Sequence, residues 1–434
     1  MRGGNSDERR APGFDTWAPA WQGRAIMRFP KFSANALHHR PFVCYWIALW
    51  AAGFAVQIMS VAVGWQVYAI TSSPLYLGLV GLAQFLPPLI LVLVTGLAAD
   101  TFNRRLIMAM CLGLEAACAI GFIVFTVMAP SVIWPVFAIL VVLGIARAFL
   151  NPASDALAPN LLPPEAIAHG ISLNSMSWQI ANIVGPVAGG LLYGMSGSVA
   201  YGVALGLIIL AVAFVALIGR VPQANHAEQT SLETLFAGFA FIRREKIVLG
   251  AISLDLFAVL LGGAVALLPI YAADILHAGP EGLGLLRAAP GIGAVAMALY
   301  LAKFGIKDRA GLVLFVFVAG FGFFTMVFGL STWVPLSIAA LALMGACDMI
   351  SVYVRETLLQ LWTPDEVRGR VNAVNRVFIG ASNELGEFRA GVVAAGIGAV
   401  AAVTVGGAGT MAVAYFWSRW FPELRTARRM DARG

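Results

Sequence analysis

The sequence predicts an all-α integral membrane protein whose twelve transmembrane helices form two pseudo-symmetric six-helix bundles. Of its 434 residues, 60% are hydrophobic and 12% are charged, whereas soluble domains carry about 25% charged residues. The charges also cluster, and they leave apolar runs of roughly 20 residues, a length that crosses the hydrocarbon of a bilayer. Because a helix satisfies its own backbone hydrogen bonds in lipid, each run is predicted to be a spanning helix.

The apolar runs divide the chain into five segments. Residues 1–40 are polar and are predicted to form a mostly disordered cytoplasmic tail. Six spans fall within 41–220 and six within 247–418, with a cytoplasmic central loop at 221–246 and a cytoplasmic C-terminal tail at 419–434. The predicted spans are 42–70, 75–99, 105–129, 132–157, 169–194, 197–219, 247–275, 281–302, 310–330, 333–356, 370–395 and 398–418.

The positions of the basic residues predict the orientation. With the N-terminus inside, all 28 Lys and Arg fall in cytoplasmic segments except Arg147, Arg287, Arg376 and Arg389, and Arg355 is assigned to the loop after the tenth span. Loops rich in Lys and Arg stay on the cytoplasmic side. Both termini are therefore expected in the cytoplasm of a bacterium, with the chain in the inner (cytoplasmic) membrane. The net charge of +6 is assigned to this topology and not to nucleic-acid binding.

An internal repeat relates the two sets of six spans. Pro164 follows the fourth span and Pro364 follows the tenth, an offset of 200 residues. The same offset brings Arg147 of the fourth span to within one position of Asp348 of the tenth. Duplicated halves of this kind are typical of secondary transporters, whose binding site lies between the halves near the midplane of the bilayer.

The loop after the second span carries the first motif, Gly96-Leu97-Ala98-Ala99-Asp100-Thr101-Phe102-Asn103-Arg104-Arg105. A glycine lets two helices approach closely, and an acid at a helix end can pair with basic residues or cap a neighbouring helix. The segment resembles motif A of the major facilitator superfamily, which implies a gate formed by Gly96, Asp100, Arg104 and Arg105. Thr101 departs from that pattern, where a basic residue is common. An ordinary positively charged loop is the alternative.

The fifth span carries the second motif, Gly185-Pro186-Val187-Ala188-Gly189-Gly190. A proline removes a backbone donor and bends the helix, and the glycines allow a neighbouring helix to pack against it. The segment is similar to motif C, the G-P-x-x-G-G signature of drug–proton antiporters in the same superfamily. This resemblance implies export and not uptake. A generic packing kink is the alternative.

Shorter segments extend the resemblance over about residues 40–420. They are similar to the enterobactin-exporter-like branch of the superfamily, also called transmembrane secretion effectors, whose members export siderophores, drugs and other cargo. The resemblance implies that the first, fourth, seventh and tenth spans line a central cavity. The segments that carry it are Ser73-Pro74-Leu75, Gln84-Phe85-Leu86-Pro87-Pro88, Asn151-Pro152-Ala153, Asn174-Ser175 and Arg368-Gly369-Arg370-Val371-Asn372-Ala373.

Ionisable residues inside the spans need a partner, a cavity or a function, because each costs a few kcal/mol or more in hydrocarbon. Arg147 is predicted to pair across the halves with Asp348 or Asp255, in a bond that holds the cytoplasmic side closed. A pair with Asp155 within one half is the alternative. Asp255 and Asp348 are also candidates for proton coupling.

The eleventh span carries Glu384 and Glu387, which are three residues apart and therefore share one helix face. Two carboxylates that share low-dielectric surroundings raise each other's proton affinity, which is the property of a proton carrier. Arg389 is expected to tune this pair or to join a gate ion pair. The alternative is a structural network that packs the eleventh span against the second. Glu115 in the third span is expected to be structural.

Amide and aromatic side chains of the first and fifth spans are the candidates for contact with a substrate. Such groups suit a large, amphipathic or catecholate-like molecule. Trp65 has an equal alternative as an anchor at the membrane interface. The candidates are Gln57, Trp65, Gln66, Trp178 and Gln179.

These patterns predict a secondary active transporter that exports a small amphipathic molecule, siderophore or drug-like, by proton antiport with alternating access. A proton-coupled uptake symporter of a small metabolite and a non-transport membrane protein are the alternatives. The sequence has no Walker A, GxSxG or HExxH motif, so no enzyme activity, cofactor or metal is expected. The expected partners are the substrate, protons and the lipid bilayer, with no nucleic acid, and the chain is expected to be a monomer.

Overall fold

A computed structural model describes residues 35–129, 132–219, 232–306 and 309–426. Most of the predicted N-terminal tail, the first part of the central loop and the end of the C-terminal tail lie outside these ranges. The described residues fold into α-helices joined by short connections. In chain order the α-helices are α1 (Arg40–Thr71), α2 (Pro74–Thr101), α3 (Arg104–Met128), α4 (Trp134–Leu157), α5 (Pro164–Met195), α6 (Gly197–Leu217), α7 (Leu232–Arg244), α8 (Lys246–Gly262), α9 (Leu268–Ile270), α10 (Gly279–Phe304), α11 (Ala310–Leu330), α12 (Val334–Trp362), α13 (Asp365–Ile397), α14 (Ala399–Trp420) and α15 (Pro422–Thr426).

Twelve of the described helices correspond to the twelve predicted spans. Ten of these segments are long and apolar enough to cross a membrane. The other two, α5 and α13, have 32 and 33 residues and carry more polar side chains. Both pack at the junction of the two halves, so their polar side chains have protein neighbours there. The predicted all-α membrane fold is confirmed.

The long helices pack as two groups. Helices α1 to α6 contact one another, and so do α8 and α10 to α14, while α5 on α10 and α2 on α13 are the main contacts between the groups. We call the membrane side where α1 begins and α14 ends the near side, and the side where α1 ends and α2 begins the far side. The two groups of helices are called the N-terminal and C-terminal halves below.

Glycines bring the two halves together near the far side. A Cβ atom on Gly78 of α2 would lie 2.9 Å from the carbonyl oxygen of Phe388 in α13. A Cβ atom on Gly190 of α5 would collide with the carbonyl oxygen of Pro280 and lie 3.1 Å from the Cα atom of Gly284 in α10. Small residues of this kind let membrane helices approach backbone to backbone, so both crossings seal the far side.

The predicted seventh span, 247–275, is not one continuous helix. α8 ends at Gly262, and a 3-10 turn, the short helix α9 and a π-helix at Tyr271–Ile275 complete the crossing. Irregular backbone at membrane depth is tolerated where it is buried in protein or lines a cavity. Two adjacent glycines, Gly262 and Gly263, explain why the helix breaks at this point, since glycine weakens a helix interior.

The second part of the central loop is helical, which corrects the predicted loop at 221–246. α7 packs on α13 and α8, and the buried side chain of Ile242 contacts an apolar cluster that includes Val371. At the other end of the chain, the exposed pair of Lys246 Nζ and Glu423 Oε1, 3.1 Å apart, joins the start of α8 to α15. Both short helices therefore lie against the near side of the C-terminal half.

Candidate functional site

Contacts between the halves close the far side. The hydroxyl of Tyr68, at the end of α1, donates a hydrogen bond to the carboxylate of Asp274 in the π-helix. One turn earlier in α1, a Cβ atom on Gly64 would lie 3.6 Å from the ring of Pro269. Together with the two glycine crossings, these contacts hold the halves together at the far side.

A cavity of about 290 Å³ lies between the halves below this seal. It is bordered by α1, α2, α4, α10 and α13 and by the irregular segment after α8. A second cavity of about 480 Å³ shares Val56, Arg147, Asn151 and Glu384 with the first and extends toward the near side. The two cavities adjoin at these shared residues, and we call them the inner and the outer chamber. The polar and charged side chains of the inner chamber are Gln57, Ser60, Gln84, Arg147, Asn151, Arg287, Glu384 and Glu387.

The outer chamber is more apolar. Its walls include Leu49, Leu150 and Trp178, beside the polar side chains of Asn174 and Asp155. The Trp178 side chain is 58% exposed, although it belongs to a helix at the junction of the halves. An aromatic ring that borders an open chamber offers apolar surface and a hydrogen-bond donor to a bound molecule.

The predicted carboxylate pair faces the inner chamber. A Cβ atom on Gly81 of α2 would lie 3.1 Å from Oε2 of Glu384 and 3.3 Å from Oε2 of Glu387. The two glutamates therefore lie against α2, as expected if they pack the eleventh span against the second. They also line the cavity, as a proton carrier must. Neither glutamate has a hydrogen-bond or ion-pair partner within 4.0 Å among the described residues.

Arg147 pairs within its own half in this conformation, which forms neither the predicted bond with Asp348 or Asp255 nor the alternative with Asp155. Its Nε atom lies 3.8 Å from Oε1 of Glu115 in α3, and its Nη1 atom donates to Oε1 of Gln84 at 2.7 Å. The Glu115 side chain is fully buried. A buried carboxylate needs a cation beside it. Arg147 is the cation beside Glu115, and both residues belong to the N-terminal half.

The two aspartates of the C-terminal half lie away from the main cavity. Asp255 forms a buried ion pair with Arg355. The charge pattern predicts Arg355 in a loop, but Arg355 lies inside α12, which runs to Trp362, and is 3% exposed. Asp348 borders a space of about 10 Å³ that also touches Asp255 and Ser351. Both aspartates therefore make their contacts inside the C-terminal half.

Arg389 does not contact the glutamate pair, which corrects its predicted tuning role. Its Nη2 atom donates to the carbonyl oxygen of Leu261 at 2.5 Å. This bond satisfies a carbonyl that lost its helical partner where α8 ends. Arg389 thus stabilises the break in the seventh span.

Arg287 of α10 is the cation that the sequence reasoning missed. It borders the inner chamber, and its charge acts on both Glu384 and Glu387. The signal was present, because Arg287 was one of four basic residues inside the predicted spans. Roles are predicted for the in-span residues Arg147 and Arg389, but none is predicted for a residue of the eighth span, which contains Arg287.

The substrate candidates divide into two groups. Gln57 lines the inner chamber and donates to Asn182, and Trp178 lines the outer chamber. Gln66 is instead buried within the N-terminal half, where it donates to Thr126 at 2.9 Å and accepts from Tyr201 at 2.7 Å.

The remaining two candidates contribute little to the cavity. Trp65 packs against the main apolar core, and the half-buried Gln179 is absent from the described lining of both chambers. Of the five candidates, the structure therefore brings Gln57 and Trp178 to the cavity and not Trp65, Gln66 or Gln179. Adjacent residues point in different directions around a helix of about 3.6 residues per turn, so Trp178 borders the outer chamber while Gln179 does not.

The motif after α2 ties near-side helix ends together. Arg104 and Arg105 donate to backbone carbonyl oxygens at the ends of α2, α4 and α6, at distances from 2.5 to 3.2 Å. Gly96 makes no close approach, since a Cβ atom there would meet no atom within 4 Å. The side chain of Asp100 lies outside the described part of the structure. The arginines therefore hold the loop against the N-terminal half.

The motif in α5 lies in a seam between α1 and α10. A Cβ atom on Gly185 would lie 2.6 Å from Cβ of Gln57, and one on Gly189 would lie 3.0 Å from Cα of Ile58. The next residue, Gly190, faces α10, and Pro186 is buried within the helix. This short segment therefore contacts both halves.

Breaking the buried Glu115–Arg147 pair is expected to destabilise the fold. Removing one partner leaves a buried charge unpaired, which costs about 3–5 kcal/mol. Glu115→Gln and Arg147→Gln should each lower the thermal unfolding temperature in detergent, and the double variant should recover most of the loss. Glu165→Gln, at an exposed glutamate of α5, is the matched control. Single variants as stable as the control would show that the pair contributes nothing.

Comparison with known proteins gives matches along nearly the whole chain. A model of the family described as transmembrane secretion effector matches residues 33–432. The enterobactin exporter EntS of Citrobacter koseri is 27% identical over 407 residues, which cover 90% of this chain and 94% of that protein. The enterobactin exporter EntS of Shigella boydii is 26% identical over the same shares.

Solved structures share the fold at low sequence identity. A bacterial homolog of the human lysosomal transporter Spinster, in an inward-facing conformation, has a TM-score of 0.70 and 13% identity, and the match covers 89% of this chain and 98% of that one. A bacterial homologue of the iron transporter ferroportin, in an inward-facing state, has a TM-score of 0.67 and 16% identity, with 88% and 98% covered.

Proposed function

Since this chain belongs to the transmembrane secretion effector family of major facilitator superfamily transporters, we propose that it exports a siderophore or similar amphipathic molecule by proton antiport. The observation that carries the proposal is the cavity between the halves, sealed on the far side and lined by the unpartnered pair Glu384 and Glu387. The relatives named as enterobactin exporters support both the direction of transport and the class of cargo.

The near side is proposed to face the cytoplasm. The basic residues concentrate in the segments at that side, as the orientation rule for membrane proteins requires. With this orientation the conformation is inward-facing, and the outer chamber is the route by which cargo enters from the cytoplasm. Alternating access then requires the far-side contacts, among them the bond between Tyr68 and Asp274, to break while the near side closes.

Competition for the same oxygen atoms would couple cargo to protons. An ionised carboxylate accepts hydrogen bonds, so Glu384 and Glu387 can bind hydroxyl or amide groups of a cargo molecule. A protonated carboxyl loses part of this accepting capacity, and a bound donor in turn disfavours protonation. Such mutually exclusive binding is reciprocal and gives exchange of protons for cargo. A purely anionic cargo held by the arginines would instead favour protonation and produce symport.

The chambers suit an amphipathic cargo. Small-molecule sites typically enclose about 300–1,000 Å³ and place a few polar groups in mostly apolar walls. Here the amides of Gln57 and Asn151 and the two glutamates supply the polar groups of the inner chamber. Leu49, with Trp178 described above, supplies apolar surface in the outer chamber.

Transport into reconstituted vesicles tests the function. Enterobactin added outside should accumulate in the lumen of vesicles that hold the protein, and a lumen more acidic than the outside should accelerate it. A protonophore should remove this acceleration, and protein-free vesicles are the control. Acceleration by an acidic outside would instead establish symport, and accumulation that ignores both gradients would refute proton coupling.

A further inference from the structure

Arg287 reaches across the junction of the two halves. It belongs to α10 in the C-terminal half, and its Nη1 atom makes a long hydrogen bond of 3.5 Å to the carbonyl oxygen of Ser60 in α1. Gly64, one turn further along α1, leaves room for the guanidinium, since a Cβ atom there would lie 4.0 Å from Nη1. The contact lies between the cavity and the far-side seal.

The guanidinium of Arg287 borders the same chamber as the glutamate pair. Both Glu384 and Glu387 border the inner chamber with Arg287, and neither is bonded to it within the 4.0 Å limit of an ion pair. A guanidinium carries five N–H donors. The contact with Ser60 occupies one of them, so the others remain available to the carboxylates across the chamber.

Other charged groups around the pair are held by separate partners. Arg147 of α4 also acts on Glu384, but its Nη1 atom donates to Gln84 at 2.7 Å and its Nε atom lies 3.8 Å from Oε1 of Glu115. Arg389 of α13 is bonded to a backbone carbonyl of α8. The lining residues that α1 and α2 contribute to the chamber are uncharged. Arg287 is therefore the cation beside the pair whose bonding is weakest and most easily redistributed.

We propose that Arg287 is the positioning residue that couples the charge of the Glu384–Glu387 pair to closure of the far side, an inference that rests on the proposed proton exchange. When the pair is protonated, its attraction for the guanidinium falls, and Arg287 stays on the Ser60 carbonyl and stabilises the closed far side. When the pair is ionised, it draws Arg287 toward α13, and the bridge to α1 is lost. Charge on the pair thus favours opening, and protonation favours closing.

The direction of this coupling agrees with export. Protons taken up from the far side would close that side and return the transporter to the inward-facing state. Loss of the protons to the near side would then free the carboxylates for cargo and favour the outward-facing state. A single redistributed hydrogen bond changes the ratio of the two states exponentially with its free-energy difference, by tenfold for each change of about 1.4 kcal/mol.

Spin-label distances across the far side test the coupling without a ligand. The exposed residues Met195 and Trp333 end α5 and precede α12 on that side, one in each half. Both would be replaced by Cys and labelled, in a chain whose native cysteines are changed to Ala and which is held in lipid nanodiscs. The native cysteines are Cys44, Cys111, Cys118 and Cys347.

In the otherwise unmodified chain, the population with a long distance should grow as the pH rises from about 5 to 9. Arg287→Gln should lose this pH-dependent shift, and Arg287→Lys should keep its direction. Arg389→Gln, which removes another in-span arginine, should keep the shift. The double variant Glu384→Gln/Glu387→Gln retains Arg287 and should remain closed at every pH.

Three outcomes would overturn the inference: an Arg287→Gln chain that shifts like the unmodified one, an unmodified chain that does not shift, or a double glutamine variant that still opens. The double variant decides the matter if Arg287→Gln does not fold. None of these outcomes depends on cargo. Proton exchange in vesicles is measured separately, so failure of the coupling and failure of the proposed function are distinguishable.

Discussion

Replacing Glu384 with Gln is expected to abolish acceleration of transport by a proton gradient while the protein remains folded. An amide has nearly the shape of the carboxyl but neither gains nor loses a proton near neutral pH. The side chain lines the cavity and makes no hydrogen bond or ion pair among the described residues, so its neutralisation breaks no bonded pair. Gradient-driven accumulation should therefore fall to the level without a gradient, while cargo still equilibrates across the vesicle membrane.

Glu366→Gln is the matched control for this experiment. Glu366 lies in the first turn of the same helix, α13, and is exposed. It should retain gradient-driven accumulation. Glu387→Gln should resemble Glu384→Gln, since both carboxylates face the same glycine of α2. If Glu384→Gln kept the full gradient dependence, this glutamate would not be the proton carrier.

Replacing Gly190 with Ala is expected to prevent normal closure of the far side. The added Cβ atom would collide with the carbonyl oxygen of Pro280 and crowd Gly284. No change of side-chain rotamer relieves a clash between a Cβ atom and backbone, so α5 and α10 must separate. Overpacking of this kind typically costs about 1–3 kcal/mol, which would shift the population toward the open far side by roughly 5- to 100-fold.

The spin-label pair at Met195 and Trp333 measures this shift directly. The distance distribution of Gly190→Ala should move to longer values at every pH, and transport should slow, because the inward-facing state becomes less populated. Gly202→Ala in α6 is the control, since a Cβ atom there meets no atom within 4 Å. An unchanged distribution in Gly190→Ala would mean that this crossing does not set the closed state.

Local sequence was sufficient for the helices and for the seam between them. Runs of apolar residues specify spans because each run satisfies its own backbone in lipid. The motif from Gly185 to Gly190 predicted a close-packed helix face, since glycine and proline act on the helix that contains them. Spacing alone also placed Glu384 and Glu387 on one face, because three residues make nearly one turn.

The partners of the charged residues could not be predicted in this way. The sequence paired Arg147 with acids at a similar membrane depth, but depth does not determine the rotation of a helix about its axis. Rotation directs Arg147 toward Glu115 in its own half. It also places Arg355, which the charge pattern counts with the loop after the tenth span, inside the protein beside Asp255.

The sequence by itself determined a polytopic helical transporter fold, its internal repeat and its family, because these depend on periodicity, length and short motifs. The tertiary structure decided which charges meet. The bond of Arg287 to Ser60 joins residues 227 positions apart, and that of Arg389 to Leu261 joins residues 128 apart. Such contacts depend on how two helices are rotated about their axes and packed against each other, which no local pattern of residues encodes.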